Sequence, residues 1–155
     1  AASHCDDVRK IIEVGLSEIP KASRLHKDIE DIIAQYDKGI SYDEATVRFH
    51  KQWDEKNPHH WCHTNSNAEI CAIGLLWGEG DFGKSICRAV QLCLDTDCNG
   101  ATVGSIMGMK LGAKKIPAKW AGRLHNTLHT SLIGNNIVKI SDMAERTFKL
   151  CRKFR

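Results

Sequence analysis

Apolar residues recur at helical spacing along most of this chain. Between residues 6 and 19, Val8, Ile11, Ile12, Leu16 and Ile19 share one side, and Pro20 stops the pattern. Ser23 opens a second amphipathic stretch that gathers Leu25, Ile29, Ile32, Ile33 and Tyr36 and ends at Gly39. Ser41 and Glu44 form a capping-box pair before a third helix with Ala45, Phe49 and Trp53 on one face. Residues 54–65 are polar and broken by Pro58, so a loop is expected there. Residues 68–77 are apolar on nearly every side, the pattern of a helix buried at the centre of a domain. After a turn at residues 78–81, Asp81 is placed to cap a helix over 82–93 with Phe82, Ile86, Ala89, Val90 and Cys93 on one face.

A further helix begins near Asp95 and carries glycine at 100, 104, 108 and 112. Interior glycine costs about 1 kcal/mol against alanine. A row of them on one face therefore predicts close approach of another backbone or a ligand. Pro117 starts a helix that would run through Trp120, Leu124 and Leu128. Residues 131–136 read as a loop and 137–140 as a short extended connection. Ser141 caps a last helix bearing Met143, Thr147, Leu150 and Cys151. No pair of alternating strands is visible. The expected fold is all-α, an orthogonal bundle of about seven helices forming a single domain or half-domain over residues 1–155.

Composition narrows the function classes. With 42% hydrophobic and 26% charged residues, the 155-residue chain matches an ordinary globular domain. A net charge of +3, with no basic run interleaved with aromatics, gives no sign of a specific nucleic-acid binder. Lys110, Lys114, Lys115 and the tail Arg152, Lys153, Phe154, Arg155 read as solvated charge. No apolar run reaches the roughly 20 residues that span a bilayer, so no membrane partner is expected. Seven cysteines without a CxxC pair favour reduced thiols and a cytoplasmic setting.

The chemistry concentrates at Asp95-Thr96-Asp97-Cys98-Asn99-Gly100. Three readings are open. The first half of a calcium-binding EF-hand loop fits, but the twelfth position, which should be a bidentate glutamate, is Ile106. One aspartate could simply cap the helix. Two carboxylates one residue apart could instead hold a hard divalent cation, with the helix N-terminus offering amides to phosphate or sugar oxygens. Two carboxylates leave such an ion short of ligands, so others must come from elsewhere. The histidines are weaker leads. His59, His60 and His63 with Cys62 lie too close in sequence to converge on one zinc ion. His125 and His129 are four apart on the expected helix, but Asn126 follows where a metalloprotease needs glutamate.

Asp95-Thr96-Asp97-Cys98-Asn99-Gly100-Ala101 resembles the C-terminal metal motif of the ADP-ribosylglycohydrolase family. Gly78-Glu79-Gly80-Asp81-Phe82, His63-Thr64-x-x-Asn67-Ala68 and Gly112-Ala113-Lys114 with Trp120 are similar to its bacterial members. The resemblance runs from about Val8 to Leu150 and implies the C-terminal half of an all-α hydrolase. Such an enzyme uses two Mg²⁺ ions, with Mn²⁺ a possible substitute. It cleaves the glycosidic bond between ADP-ribose and a protein side chain or small molecule. Asp95 and Asp97 would be metal ligands. Cys98 would stand where threonine or serine often supplies a hydroxyl, although a thiol is a poor partner for Mg²⁺. His63, Thr64, Asn65, Asn67, Asn99 and Gly100 would contact substrate. The family's other metal motif, Thr/Ser-Asp-Asp, belongs to an N-terminal half. Cys5-Asp6-Asp7 falls at a helix start, where its acids suit the helix dipole. The implied enzyme therefore needs an N-terminal complement that carries the catalytic residues. The alternative is a catalytically silent binding or structural module with the same fold. In either case the partner is ADP-ribose or an ADP-ribosylated substrate. Exposed apolar surface is expected along residues 68–77 and the glycine ridge, awaiting that complement.

Overall fold

A computed structural model describes residues 1–153; Phe154 and Arg155 of the basic tail lie outside them. The chain divides into two compact units, Ala1–Lys114 and a second beginning at Lys115. The first contains α1 (Val8–Ser17), α2 (Arg24–Asp37), α3 (Tyr42–Gln52), α4 (Thr64–Leu76), α5 (Phe82–Val90) and α6 (Thr96–Leu111). The fold is all-α apart from one two-stranded hairpin in the second unit.

Most helix starts lie where side-chain chemistry puts them. Asp7, Ser23, Ser41 and Asp81 each accept a backbone N–H from the first turn of the helix they open. Asp7 thus serves as a cap, in keeping with the helix-start expectation for the Cys5-Asp6-Asp7 acids. α4 begins earlier than expected, at Thr64, because His63 Nδ1 accepts the N–H of Asn65 at 3.1 Å and so acts as the cap. Thr64, Asn65 and Asn67 are therefore helical residues, not loop residues.

α4 lies at the centre of this unit, packed by α1, α2, α5 and α6. Ile70, Ala72, Ile73, Leu75 and Leu76 are buried on all its faces. Burying each of the larger ones is worth roughly 1.5–3 kcal/mol. The expectation of exposed apolar surface along residues 68–77 is therefore corrected: neighbouring helices of the same unit bury 69, 70 and 72–77, and only Ala68 and Cys71 are half-buried, along an apolar groove. The first half of the glycine ridge needs the same correction, whereas Gly112 at its end is exposed with open space around it. A Cβ at Gly100 would meet Val90 Cγ2 at 3.0 Å, and one at Gly104 would meet Ile86 Cδ1 at 3.5 Å, so both face α5.

The closest backbone approach is at Gly74 and Gly78, where α4 and the turn after it meet α5. A Cβ at Gly74 would lie 2.7 Å from Ala89 Cβ. One at Gly78 would strike Ser85 Oγ and lie 2.6 Å from both Ser85 Cα and Gly74 O.

In the second unit, α7 is only Ala118–Ala121, followed by a 3₁₀ turn at Gly122–Leu124. The expected helix through Leu128 does not form. His125 (φ 47°) and Asn126 (φ 54°) are left-handed, and the chain continues as β1 (Thr127–His129), antiparallel to β2 (Ile137–Lys139). Thr127, Ile137 and Val138 are β-branched, which suits the pleat. α8 (Ile140–Lys153) closes this unit. Ser141 is not its side-chain cap; Asn126 Oδ1 accepts the Ser141 N–H at 2.9 Å. His125 and His129 therefore sit on different elements, which removes the helical zinc-pair geometry. None of the described residues of this unit beyond Lys115 is buried. No helix among the described residues is long and apolar enough to cross a membrane.

The α4–α5 approach predicts opposite effects at two glycines. Gly78→Ala should lower stability by about 1–3 kcal/mol, because backbone must shift. Gly15→Ala, with open space around its Cβ and an α-helical position, should raise it by about 0.5–1 kcal/mol. Urea unfolding midpoints of the two variants measure both.

Candidate metal centre

Asp95 occupies the N-cap of α6 yet behaves unlike the other capping side chains. It accepts no N–H from its own helix. Its Oδ2 accepts instead from Asn67 Nδ2 on α4, at 3.3 Å. Asn67 Oδ1 accepts from Asn99 Nδ2 at 3.2 Å, and Asn99 Oδ1 accepts from the Cys71 thiol at 3.7 Å. Burial pushes the Cys71 thiol up to about 11, so it remains a donor at neutral pH. Each amide in this chain is thereby oriented, and the last donor points at the Asp95 carboxylate. A forgone N-cap costs about 1 kcal/mol; the carboxylate takes the Asn67 amide and the Cys98 thiol in place of the backbone N–H groups.

The backbone leading into the site is strained. Cys93 (φ 62°) and Leu94 (φ 55°) are consecutive non-glycine residues in the left-handed region, which costs on the order of 1–3 kcal/mol each. The fully buried Leu92 anchors the upstream side. The turn releases the chain at Asp95 directly into α6, and Asp97 and Cys98 follow in its first turn.

A carboxylate oxygen of Asp95, one of Asp97 and Cys98 Sγ all lie within 4.8 Å of one another. Among the described residues this is the one such trio of metal-ligating side chains. Asp95 is 7% exposed, whereas Asp97 and Cys98 open to solvent. The Asp95 carboxylate, by hydrogen bond and by charge, raises the Cys98 thiol above its ordinary range, and Asp97 adds to this. An apolar groove of ≈ 540 Å³, walled by Ile12, Leu16, Leu25 and Ile29, runs up to Asn67, Asp95 and Cys98.

The ADP-ribosylglycohydrolase family model matches residues 1–154, nearly the whole chain. The chain belongs to the ADP-ribosylglycohydrolase family. No curated protein and no solved structure matches it. Family membership makes it a hydrolase-family chain, acting in the chemistry of ADP-ribose linkages.

Within this ADP-ribosylglycohydrolase chain the EF-hand alternative is excluded. α6 is continuous from Thr96 to Leu111, and Val103 within it is fully buried, so residues 95–106 are not a calcium loop. The two carboxylates suit a divalent cation. The thiol does not suit Mg²⁺, which takes oxygen ligands.

The expected site residues divide into two sets. Asp95, Asp97, Cys98, Asn67 and Asn99 come together. Asn65 instead donates from Nδ2 to Asp28 Oδ2 at 2.5 Å on α2, and Gly100 packs toward Val90. His63 caps α4 and lies 4.9 Å from the Trp53 ring, and Thr64 is exposed beside it. One participant, Cys71, escaped the sequence reading, as did a buried carboxyl away from the site, Glu69. Cys71 is four residues beyond Asn67, a polar i,i+4 pair inside an apolar helix. Glu69 is the only charged residue of α4. It is 3% exposed, with Oε1 accepting from Trp53 Nε1 at 3.0 Å.

Burial raises the Glu69 carboxyl to about 7; the Trp53 hydrogen bond opposes this, and the Asp28 and Asp31 charges add to it. The folded state therefore holds a proton that the unfolded chain releases near pH 4.5. Stability should fall as pH rises from about 4.5 to 7 and level off above, by on the order of 3 kcal/mol in all. Urea unfolding of wild type and Glu69→Gln across pH 5–8 measures this, and the variant should lose that component of the slope.

Proposed function

We propose that this chain forms the cation-binding half of an ADP-ribosyl hydrolase. It cleaves the glycosidic bond between ADP-ribose and a protein side chain or small molecule. The observation that carries this reading is the Asp95 carboxylate, withheld from its own helix and oriented by Asn67 beside Asp97. Asp95 and Asp97 would hold divalent metal, with two Mg²⁺ ions expected in the complete site and Mn²⁺ a substitute. Such a cation supplies charge stabilisation and places the ribose oxygens and a water.

The protein's own residues do the rest of the positioning. Asn67 and Asn99 keep the Asp95 carboxylate aimed and partly desolvated. The N-terminus of the 16-residue α6 bears partial positive charge that attracts a diphosphate. The apolar groove beside it offers walls to the nucleobase. Three side-chain donors leave a near-octahedral ion short of ligands. The remaining ligands and the catalytic acid or base are assigned to an N-terminal half of the same fold, on a longer chain or a separate one. Seven free thiols suit the reducing cytoplasm.

The test measures Mg²⁺-dependent release of ADP-ribose from a modified peptide by this chain with its N-terminal complement. Asp97→Ala should reduce release by about 100-fold or more. Release that persists unchanged in this variant overturns the assignment.

A further inference from the structure

The donor set beside Asp95 disagrees with a purely hard cation site, and the disagreement lies at one atom. Cys98 Sγ stands within 4.8 Å of a carboxylate oxygen of both Asp95 and Asp97, so it can share an ion with either. Cys98 lies in the exposed first turn of α6, open to an entering ion. Carboxylate oxygens serve Mg²⁺, Mn²⁺ and zinc-class ions alike, whereas a thiolate selects strongly for the zinc class.

We propose that Asp95, Asp97 and Cys98 form a mixed carboxylate–thiolate centre that takes a thiophilic divalent cation of the zinc and cobalt class in preference to magnesium. This rests on the cation-binding reading above and departs from it in the metal class: the two carboxylates alone would serve Mg²⁺ or Mn²⁺, and Cys98 turns the preference to a thiophilic ion. In the binding step, a metal–sulfur bond forms as the Cys98 S–H bond breaks. The proton passes to solvent, and one water leaves the ion's shell. No redox change is involved. Asp95 carries the buried, oriented charge, with Asn67 fixing its carboxylate. The Asp95 carboxylate and the Cys98 thiolate neutralise the divalent charge, and Asp97 adds a third donor that takes the complex to one net negative charge. Sulfur supplies the selectivity.

The experiment titrates Co²⁺ alone into the full chain and follows the near-ultraviolet thiolate-to-cobalt charge-transfer band. In parallel, Mn²⁺ binding is measured by loss of its free-ion spin-resonance signal. Wild type should develop the band and release a proton per cobalt bound. Cys98→Ser should abolish the band and weaken Co²⁺ by about 10-fold or more, while Mn²⁺ affinity changes by less than about 2-fold. Cys151→Ser, which alters an exposed thiol in the second unit, should keep the band. Co²⁺ binding that depends on Asp97 but gives no band, or a band unaffected by Cys98→Ser, overturns the thiolate proposal and leaves the carboxylate site standing. Failure of Asp97→Ala to weaken both Co²⁺ and Mn²⁺ overturns the cation-binding reading and this proposal with it. Circular dichroism of each variant confirms that the helices are intact.

Discussion

Helix α4 has almost no polar face to give to solvent, and the rest of its unit is arranged to satisfy that constraint. α1, α2, α5 and α6 all pack against it. Such enclosure needs close approach on at least one side, and Gly74 and Gly78 supply it by letting α5 nearly touch the α4 backbone. Enclosure also sets a cost on every polar atom that α4 carries. Glu69 answers with the Trp53 indole N–H and a proton retained to about pH 7. Asn67 answers with Asn99 and Asp95. The polar contacts of the candidate site thus also satisfy a half-buried amide of the central helix.

The same arrangement explains why the start of α6 is costly. A forgone cap at Asp95 and two left-handed side-chain-bearing residues before it are local losses. They persist because the surrounding packing over-determines them: Leu92 is locked in the core on one side, and Val103 and Met107 on the other. The start of α6 is fixed by the packing of this core on both sides. The site's exposed members, Asp97 and Cys98, are held only by the first turn of α6 and not by that core.

The second unit shows what local chemistry can overrule. The spacing of Trp120, Leu124 and Leu128 fits a helix, but Leu124 and Leu128 are largely exposed and gain nothing from a shared face. With no burial to reward it, the helical period gives way to the left-handed pair His125 and Asn126, and Asn126 then uses its amide to hold the start of α8. In the first unit the same kind of periodicity succeeds, because α4 and its neighbours bury what the pattern offers.

The sequence by itself determined the helices of the first unit to within about a turn, their caps at Ser23, Ser41 and Asp81, the central place of residues 68–77, and the Asp95-Asp97-Cys98 constellation. These depend on neighbours a few residues apart, and local rules reach that far. Only the tertiary structure decided which polar residues meet across helices. It separated Asn67 from Asn65, which lie two positions apart on one helix turn yet face α6 and α2 respectively. It turned Gly100 toward α5 and brought in Cys71 and Glu69. Those outcomes depend on how helices cross, and crossing is set by packing that no short stretch of sequence contains.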